Sequence, residues 1–364
     1  MKIINVVGAR PQFVKAAVVS RAIQSHNQNN AEKINEIIVH TGQHFDSNMS
    51  DVFFEQLSIP KPSYNLQVNQ CSHAQMTAQI MQKFEAILIQ EAPDCIIVYG
   101  DTNSTIAAAL TAVKMHIPIA HIEAGLRSYN RKMPEEINRI LTDQCSTYLF
   151  APTEQALQNL RQEGITQNTF MYGDVMQDAV SQFAMLTSSH GNVLNQYAVR
   201  PKQYVLCTLH RAHTLSSATV LQQAIDCLAW IAGQTTLLLP LHPATHNKLK
   251  EYGISLPDSL TVTAPLSYLE MLELESNASF IVTDSGGVQK EAYMHKIPCI
   301  TMRDETEWVE TLENGWNTLT GINLNKIQTA WTQIHSFNAP WNPLYGDGDC
   351  ADKIIRCLHQ KLHH

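Results

Sequence analysis

Short apolar runs alternate with helix-length amphipathic segments along the whole chain. In the first half, the candidate strands read "IINVVG", "NEIIVHTG", "CIIVYGD", "IPIAHIEA" and "TYLFAPT". Segments such as "HAQMTAQIMQKFEAILIQ" and "NSTIAAALTAVKMH" lie between them. Strands that are nearly continuous in apolar residues and are separated by helices are typical of a parallel sheet covered on both faces. The pattern therefore predicts an α/β domain.

The same alternation begins again in the second half of the chain. Five more candidate strands read "QYVLCTLHR", "TTLLLPLHP", "SLTVTAPL", "SFIVTDSGG" and "IPCITMRDE". A polar, weakly patterned stretch from about Val175 to Pro201 separates the two halves. The length of 364 residues also exceeds that of one ordinary core. We predict two doubly wound, Rossmann-like domains, over residues 1–174 and 175–350.

Polar residues of unusual type follow these strands directly. Loops at the carboxyl edge of an open parallel sheet line the ligand site, so two such domains that face one another would share a cleft. The residues at these positions are Arg10, the "TGQH" of Thr41–His44, Asp101, Glu123, His210, His242, Ser285, Gly286, Gly287 and Arg303. This clustering predicts the position of the functional site.

Composition and charge exclude several classes of partner. The net charge of −8 and the absence of a basic stripe argue against a nucleic-acid surface. The apolar runs have strand length and are too short to cross a bilayer, and the N-terminus lacks a signal-peptide pattern. The eight cysteines form no CxxC pair, which indicates reduced thiols in a cytoplasmic protein.

Two strand-to-helix turns have features of phosphate sites. The turn in "NVVGARPQFVK" matches neither GxGxxG nor GxxxxGK[ST], because it has one glycine followed by Arg10 and Lys15. In "DSGGVQKEA", two glycines at a helix start would let phosphate oxygens reach backbone N–H groups, with Ser285 as a hydroxyl donor. Glu291, farther along that helix, suits the vicinal hydroxyls of a ribose. The alternative is an ordinary glycine-containing turn.

Four acidic residues are candidates for proton transfer. Asp101 could instead be a helix N-cap, whereas Glu123 directly follows an apolar strand, where a charge is costly. Glu135 and Glu136 lie in the predicted first turn of a helix, and we expect Glu136 to be a solvated charge. Several carboxylates at one site repel one another, so at least one could have a raised pKa.

The histidines do not form a known metal pattern. The sequences "HRAH" and "HPATH" lie at strand ends, but no set of His, Cys and carboxylate residues has zinc-site spacing. We therefore expect no metal. His210, next to Arg211, suits a phosphate or a proton-transfer role. His242 is a phosphate contact or a hydrogen-bonding group at a strand end. No Gly-x-Ser-x-Gly elbow is present, which disfavours acyl transfer.

A set of motifs along nearly the whole chain resembles one family. They are "GARPQFVK", "TGQH", "YGDTNST", "HIEAGLRS", "MPEEINR", "TLHR", "LHP", "DSGGVQKEA" and "TMRDETEW", in that order. Together they resemble the non-hydrolysing UDP-N-acetylglucosamine 2-epimerases. The resemblance implies a GT-B-type fold with the active site in the interdomain cleft, and a C-terminal helix, 351–364, that returns to the first domain. It also implies a cytoplasmic homodimer that uses neither metal nor nicotinamide and serves surface-polysaccharide precursor synthesis.

The resemblance further implies a role for individual residues. The reaction would be reversible C2 epimerisation of a UDP-N-acetylhexosamine, by elimination and re-addition of UDP through a glycal. The implied proton-transfer residues are Asp101, Glu123 and Glu135, with His210 at the leaving group. The implied contacts to UDP and its phosphates are Arg10, Lys15, His242, Ser285, Gly286, Gly287, Glu291 and Arg303.

The chain departs from the family pattern at a few positions. The family usually continues from His-Arg to x-Glu-Asn, whereas this chain reads "HRAHT", with His213 and Thr214. Gln43 and His44 fit a regulatory UDP-sugar site found in some bacterial members, but the arginine expected near Ala74 is absent, and we do not predict such regulation.

The segment "SYNRKMPEE" raises the question of which sugar is the substrate. With "GDVMQDA" and "TEWVE", it resembles the branch that acts on UDP-2,3-diacetamido-2,3-dideoxyglucuronic acid. Arg131 and Lys132 could contact the sugar carboxylate, or they could merely offset Glu135 and Glu136. Three other functions stay open: a hydrolysing 2-epimerase that releases UDP and N-acetylmannosamine, a GT-B glycosyltransferase, and a non-catalytic nucleotide-sugar-binding protein.

Overall fold

The chain folds into two compact units. The structure is a computed structural model that describes residues 1–43, 56–57, 59–190 and 193–362. The first unit comprises Met1–Ser181 and Leu344–His364, and the second comprises Gln182–Pro343. The division after Ser181 falls inside a helix that begins at Val175.

The described part of the first unit contains a parallel sheet of seven strands in the order β3-β2-β1-β4-β5-β6-β7. The strands are β1 Lys2–Val7, β2 Asn35–His40, β3 Tyr64–Asn65, β4 Cys95–Tyr99, β5 Ile119–Ile122, β6 Tyr148–Ala151 and β7 Thr169–Met171. Every residue of β4, β5 and β6 is buried, as expected where helices cover both faces. The chain reverses its direction of strand addition between β1 and β4, which is the Rossmann switch point where ligands bind.

Amphipathic helices follow β1 and β3 to β7. They are α1 Arg10–Asn29, α2 His73–Glu91, α3 Asn103–Lys114, α4 Pro134–Cys145, α5 Glu154–Gln162 and α6 Val175–His190. Several begin at side-chain caps: Thr102 caps α3 and Thr153 caps α5 by accepting a backbone N–H. The alternative that Asp101 is the N-cap is therefore wrong, because the cap is the next residue. Pro134 occupies the first turn of α4, where its missing N–H costs nothing.

The described part of the second unit repeats the architecture with six parallel strands in the order β10-β9-β8-β11-β12-β13. The strands are β8 Val205–Thr208, β9 Leu237–Pro240, β10 Leu260–Thr263, β11 Phe280–Thr283, β12 Cys299–Thr301 and β13 Asn317–Leu319. The helices are α7 Val193–Gln196, α8 Ala218–Ala232, α9 Pro243–Tyr252, α10 Tyr268–Asn277, α11 Gly286–Met294 and α12 Leu324–Ile334, with a 3₁₀ segment at Val309–Gly315. The prediction of two Rossmann-like sheets is confirmed.

The last helix, α13 Cys350–Leu362, belongs to the first unit, where it packs on α1. Ile354, Ile355 and Leu358 form its buried face. Its first N–H groups, of Cys350 and Ala351, donate to the Asp178 carboxylate at 3.1 and 2.7 Å. Burial raises the pKa of Asp178 to about 7, although these two hydrogen bonds oppose the change.

Within the described ranges, the helices are all too short or too polar to traverse a bilayer.

Candidate active site

The carboxyl edge of the first sheet brings together Lys15, Asp101 and Glu123. Tyr99 of β4 pairs with Ile122 of β5, so the residues just beyond them are neighbours. Glu123 has φ +75°, a left-handed conformation that is uncommon for a residue with a side chain. Such backbone strain is frequent at functional sites.

Lys15 of α1 forms a buried ion pair with Glu123. Their side chains are 7% and 11% exposed. The ammonium also lies beside Gly100, since a Cβ built there would be 3.6 Å from Lys15 Nζ. The predicted phosphate ligand and the predicted proton-transfer group are therefore direct partners in this structure.

The turn before α1 is held by Gln12. Its side-chain oxygen accepts the N–H groups of Gly8 and Ala9 at 2.8 and 3.0 Å, and its amide donates to the Tyr99 carbonyl at 2.8 Å. A Cβ at Gly8 would collide with the hydroxyl of Ser104. The single glycine of this turn therefore permits a close approach to α3, while Arg10 begins α1.

Asp101 is bound by a buried arginine. Arg139, 3% exposed, donates through Nε to Asp101 at 3.1 Å and through Nη2 to the same oxygen. Its Nη1 donates to Glu136 at 2.9 Å. Arg139 thus connects two carboxylates, which reduces the repulsion that the sequence predicts between the acidic residues.

The prediction that Glu136 is a solvated charge is wrong. Glu136 is 1% exposed, and it accepts the N–H groups of Ser128 at 2.9 Å and Tyr129 at 2.8 Å. A buried arginine needs a buried anion, and Glu136 fills that role for Arg139. Its carboxylate also fixes the start of the loop that follows Arg127.

Glu135, Arg131 and Lys132 are exposed. Glu135 lies in the first turn of α4, and the two cations lie in the loop just before it. Glu136 is buried and its charge is balanced by Arg139. The alternative that Arg131 and Lys132 balance the charge of Glu136 is therefore wrong. Arg131 and Lys132 are therefore exposed to solvent in the loop directly before α4.

A buried polar network that the sequence did not reveal holds the loop carrying Glu123. Asp143 Oδ1 lies 2.7 Å from His121 Nδ1, and its Oδ2 lies 2.7 Å from Arg127 and accepts the Gly125 N–H at 3.1 Å. Glu163 contacts the other side of Arg127 at 2.6 Å. Burial alone would lower the pKa of Arg127, but the two carboxylates raise it above its ordinary value. Asp143 lies in the unremarkable stretch "LTDQC", so no local signal identifies it.

In the second unit, Asp284 organises the residues after β8. It is fully buried and accepts the N–H groups of His210 at 3.0 Å and Arg211 at 2.9 Å, and the Thr214 hydroxyl at 2.8 Å. Thr214, one of the residues at which "HRAHT" departs from the family pattern, therefore donates a hydrogen bond to Asp284. Sequence reasoning missed Asp284, although it stands directly before the two glycines.

His210 and His242 lie side by side, with ring centroids 5.2 Å apart. The His242 ring accepts the Ala244 N–H at 3.1 Å and caps α9. His242 is thus a hydrogen-bonding group at a strand end, and its contact to phosphate stays a prediction. His210 Nδ1 lies 3.7 Å from Asp284, and its side chain is 36% exposed.

The N-terminus of α11 carries a cluster of charges. Ser285 caps the helix by accepting the Val288 N–H at 3.4 Å. Beside it, Glu307 lies 2.9 Å from Arg303 and 3.7 Å from Arg211. Burial would raise the pKa of Glu307, but the two guanidinium groups outweigh it, and the pKa is lowered.

The carboxylate of Glu307 approaches the helix start closely, since a Cβ at Gly286 would lie 2.5 Å from its Oε1. Glu291 is 8% exposed within α11. The arrangement therefore provides two arginines and a helix N-terminus at one place, as an anion site requires.

Other predicted features lie near these two edges. Thr41 and Gln43 of "TGQH" hydrogen-bond Ser104 at 2.8 and 2.7 Å. His44 lies outside the described residues. In the described ranges, no three His, Cys, Asp or Glu side chains gather as a metal site would require.

Two Rossmann-like sheets with cations and carboxylates at their carboxyl edges are typical of enzymes with a GT-B-type fold. Comparison with known proteins makes the assignment specific: residues 26–359 match the family described as UDP-N-acetylglucosamine 2-epimerase. The chain belongs to this family of isomerases.

Full-length relatives support the same assignment. The chain is 46% identical to a UDP-N-acetylglucosamine 2-epimerase homolog of Methanococcus maripaludis, and 45% identical to the UDP-2,3-diacetamido-2,3-dideoxy-D-glucuronate 2-epimerase of Pseudomonas aeruginosa. Each alignment covers 98% of this chain and 99% of the relative. The UDP-GlcNAc 2-epimerase of Methanocaldococcus jannaschii, in complex with UDP-GlcNAc and UDP, has a TM-score of 0.92 at 39% identity, covering 99% of this chain and 100% of the other. The roles of individual residues stay predictions.

Proposed function

We propose that the protein is a non-hydrolysing epimerase that inverts C2 of a UDP-N-acetylhexosamine. In the first step, a carboxylate removes the C2 proton. The C–H electrons form a C1=C2 double bond while the C1–oxygen bond to UDP breaks, which leaves a 2-acetamidoglycal and UDP. In the second step, UDP re-adds to C1 and a proton returns to C2 on the opposite face. The proposed steps move a proton and the UDP leaving group without hydride transfer, so they need no nicotinamide, and we expect no metal ion.

The observation that carries this proposal is the position of Glu123 beside Lys15. Elimination needs a base for the C2 proton and a cation for the departing diphosphate, and these two side chains provide both at one strand end. Asp101 lies on the neighbouring strand end, and Glu135 lies in the first turn of α4. We assign proton transfer to Glu123 with Asp101 and Glu135.

The second unit supplies the groups proposed for UDP. Arg303 and the N–H groups of Gly286 and Gly287 suit phosphate oxygens, and Ser285 adds a hydroxyl. Glu291 suits the ribose hydroxyls. His210 acts at the leaving group, with His242 beside it. Arg10 and Lys15 of the first unit are proposed as further contacts to the UDP phosphates.

A proton NMR time course in D2O tests the reaction. The proposal expects reversible inversion at C2 with deuterium incorporation there, while the UDP-sugar stays intact. Free N-acetylmannosamine with stoichiometric UDP would instead establish a hydrolysing epimerase. Transfer of the sugar to an added acceptor would establish a glycosyltransferase. Binding without turnover would establish a nucleotide-sugar-binding protein.

For the sugar, we propose a UDP-2,3-diacetamido-2,3-dideoxyglucuronate substrate, with UDP-N-acetylglucosamine as the alternative. Arg131 and Lys132 support the uronate, because exposed cations on the loop before α4 can approach a C6 carboxylate, and a C6 hydroxyl would gain little from them. Full-length relatives named for each of these two substrates are 45% and 40% identical to this chain. Identity alone therefore does not choose between them.

The comparison that tests this proposal is kcat/KM for the two UDP-sugars in wild type and in Arg131→Ala/Lys132→Ala. The uronate should be preferred in wild type, and the double substitution should lower kcat/KM for it by about tenfold or more while sparing UDP-N-acetylglucosamine. Equal kcat/KM for both sugars, unchanged by the substitutions, would refute carboxylate recognition and leave the epimerase assignment intact.

We also propose that the enzyme acts as a homodimer in the cytoplasm, as the family resemblance implies. Sedimentation of the protein at micromolar concentration as a monomer would contradict the dimer. A fluorescent fusion recovered with the membrane or the medium would contradict the location.

A further inference from the structure

The buried pair of Lys15 and Glu123 joins two groups that the proposed reaction uses for different purposes. Lys15 is a ligand for the UDP phosphates, and Glu123 is a proton-transfer group. In this structure the ammonium of one neutralises the carboxylate of the other, with side chains 7% and 11% exposed. In such a buried pair, each charge strongly affects the protonation of its partner.

Several other charges at this edge are paired with one another. Asp101 and Glu136 are both bound by Arg139, and His121 and Arg127 are both bound by Asp143. Charged or titratable groups on the elements that adjoin Glu123 include Arg10 and Lys15 of α1, Asp101 after β4, His121 of β5, Arg127 of the following loop, and Glu135, Glu136, Arg139 and Asp143 of α4.

Lys15 is also well placed to act on a second anion. Its Nζ lies beside Gly100, which has φ +60° and no side chain to cover the ammonium. The diphosphate of a UDP-sugar carries more negative charge than one carboxylate, and it forms charge-assisted hydrogen bonds with an ammonium. A bound diphosphate therefore competes with Glu123 for the same cation.

We propose that Lys15 is a shared counter-ion whose exchange activates Glu123. In the free protein Lys15 holds Glu123 ionised and weakly basic. When the diphosphate binds, the Lys15 charge is neutralised by phosphate, and Glu123 becomes a stronger base. This inference rests on the proposed function, and it makes base strength depend on the presence of the leaving group. The glycal step then begins only when UDP is in place.

The direct test follows the carboxyl carbon of Glu123 by NMR in protein labelled with ¹³C at the glutamate carboxyl. The Glu123 signal is assigned by its loss in Glu123→Gln. In wild type, saturating UDP should raise the midpoint of the Glu123 titration by about 1 pH unit or more. In Lys15→Met, the midpoint of the free protein should already be raised by a similar amount, and UDP should add little.

Two further variants separate charge from structure. Lys15→Arg keeps a cation and should keep the low midpoint in the free protein. Lys2→Met removes another lysine–glutamate pair of the first unit, Lys2–Glu91 at 3.2 Å, and should leave the Glu123 titration as in wild type. Far-UV circular dichroism confirms that each variant is folded.

Turnover provides an independent readout. The pH profile of kcat reports pKa values of the enzyme–substrate complex, and that of kcat/KM reports those of the free enzyme. The pKa on the acidic side should be higher in the kcat profile than in the kcat/KM profile. This separation should disappear in Lys15→Met.

Two results overturn the exchange and leave the epimerase assignment standing: a Glu123 midpoint that bound UDP does not move, or a free Lys15→Met protein with the wild-type midpoint. Failure of UDP to bind wild-type protein would overturn both the exchange and the proposed function.

Discussion

Replacing Arg139 with methionine is expected to destabilise the first unit by about 3–5 kcal/mol, because the change leaves buried carboxylates without their cation. Arg139 is 3% exposed and Glu136 is 1% exposed. The Asp101 side chain is 30% exposed, so water compensates part of its lost partner. Most of the lost stability therefore comes from the unpaired charge of Glu136. The N–H groups of Ser128 and Tyr129 still donate to this carboxylate, but they carry no positive charge.

The assay is urea unfolding at neutral pH, followed by two signals. Far-UV circular dichroism reports both units. Tryptophan fluorescence reports the second unit, because all five tryptophans lie between Trp230 and Trp341. A circular dichroism transition that moves to lower urea, without an equal shift in fluorescence, would assign the loss to the first unit.

The matched control is Arg161→Met, which removes an exposed pair. Arg161 and Glu154 are 3.3 Å apart and 55% and 54% exposed, so the expected loss is about 0–1 kcal/mol. The double variant Arg139→Met/Glu136→Gln should recover about 1 kcal/mol or more, since the second change removes the unmatched charge. A loss from Arg139→Met no larger than that from Arg161→Met would refute the reasoning from buried charge.

Three further predictions concern catalysis and stability. Activity should survive EDTA and should require no added metal ion or NAD; inactivation by EDTA that a divalent ion reverses would contradict this. Asp101→Asn and Glu123→Gln should each lower kcat by roughly a hundredfold or more with smaller effects on UDP binding, because both keep the shape of the side chain and lose its basicity; near-normal kcat in both would show that the acid–base assignment is wrong. The third concerns Asp178, whose pKa is raised to about 7 by burial, so the folded protein holds a proton that the unfolded chain releases near its ordinary pKa of 3.8. Its contribution to stability should therefore be complete at low pH and be lost as the pH rises through 7, and urea unfolding of Asp178→Asn should show a flatter pH dependence between these values. An unchanged slope would contradict the raised pKa.

The sequence by itself determined the two-sheet architecture, and it predicted which strand ends carry the chemistry. Both follow from local patterns: continuous apolar runs give buried parallel strands, and the carboxyl ends of such strands line the ligand site. Arg10, Asp101 and Glu123 were predicted to be site residues for that reason, and Lys15 was predicted from the first strand-to-helix turn and the family resemblance. The family was also evident from the sequence, since its motifs occur in order along the chain.

The tertiary structure alone decided which charged groups become partners. Glu135 and Glu136 are adjacent in the first turn of α4, where one residue changes direction by about 100° around the helix axis. The sequence does not specify which of them faces the interior, and the structure buries Glu136 against Arg139 while leaving Glu135 exposed.

The same reason explains the polar groups that sequence reasoning missed. Asp143 and Asp284 accept hydrogen bonds from Gly125 and Thr214, which lie 18 and 70 residues earlier in the chain, so their sequence neighbours do not show which groups they hold. The pairing of Lys15 with Glu123 likewise joins the start of α1 to the end of β5. Local periodicity predicts where an element lies. The partner of a buried charge depends instead on which distant elements pack together, because burial makes an unmatched charge costly.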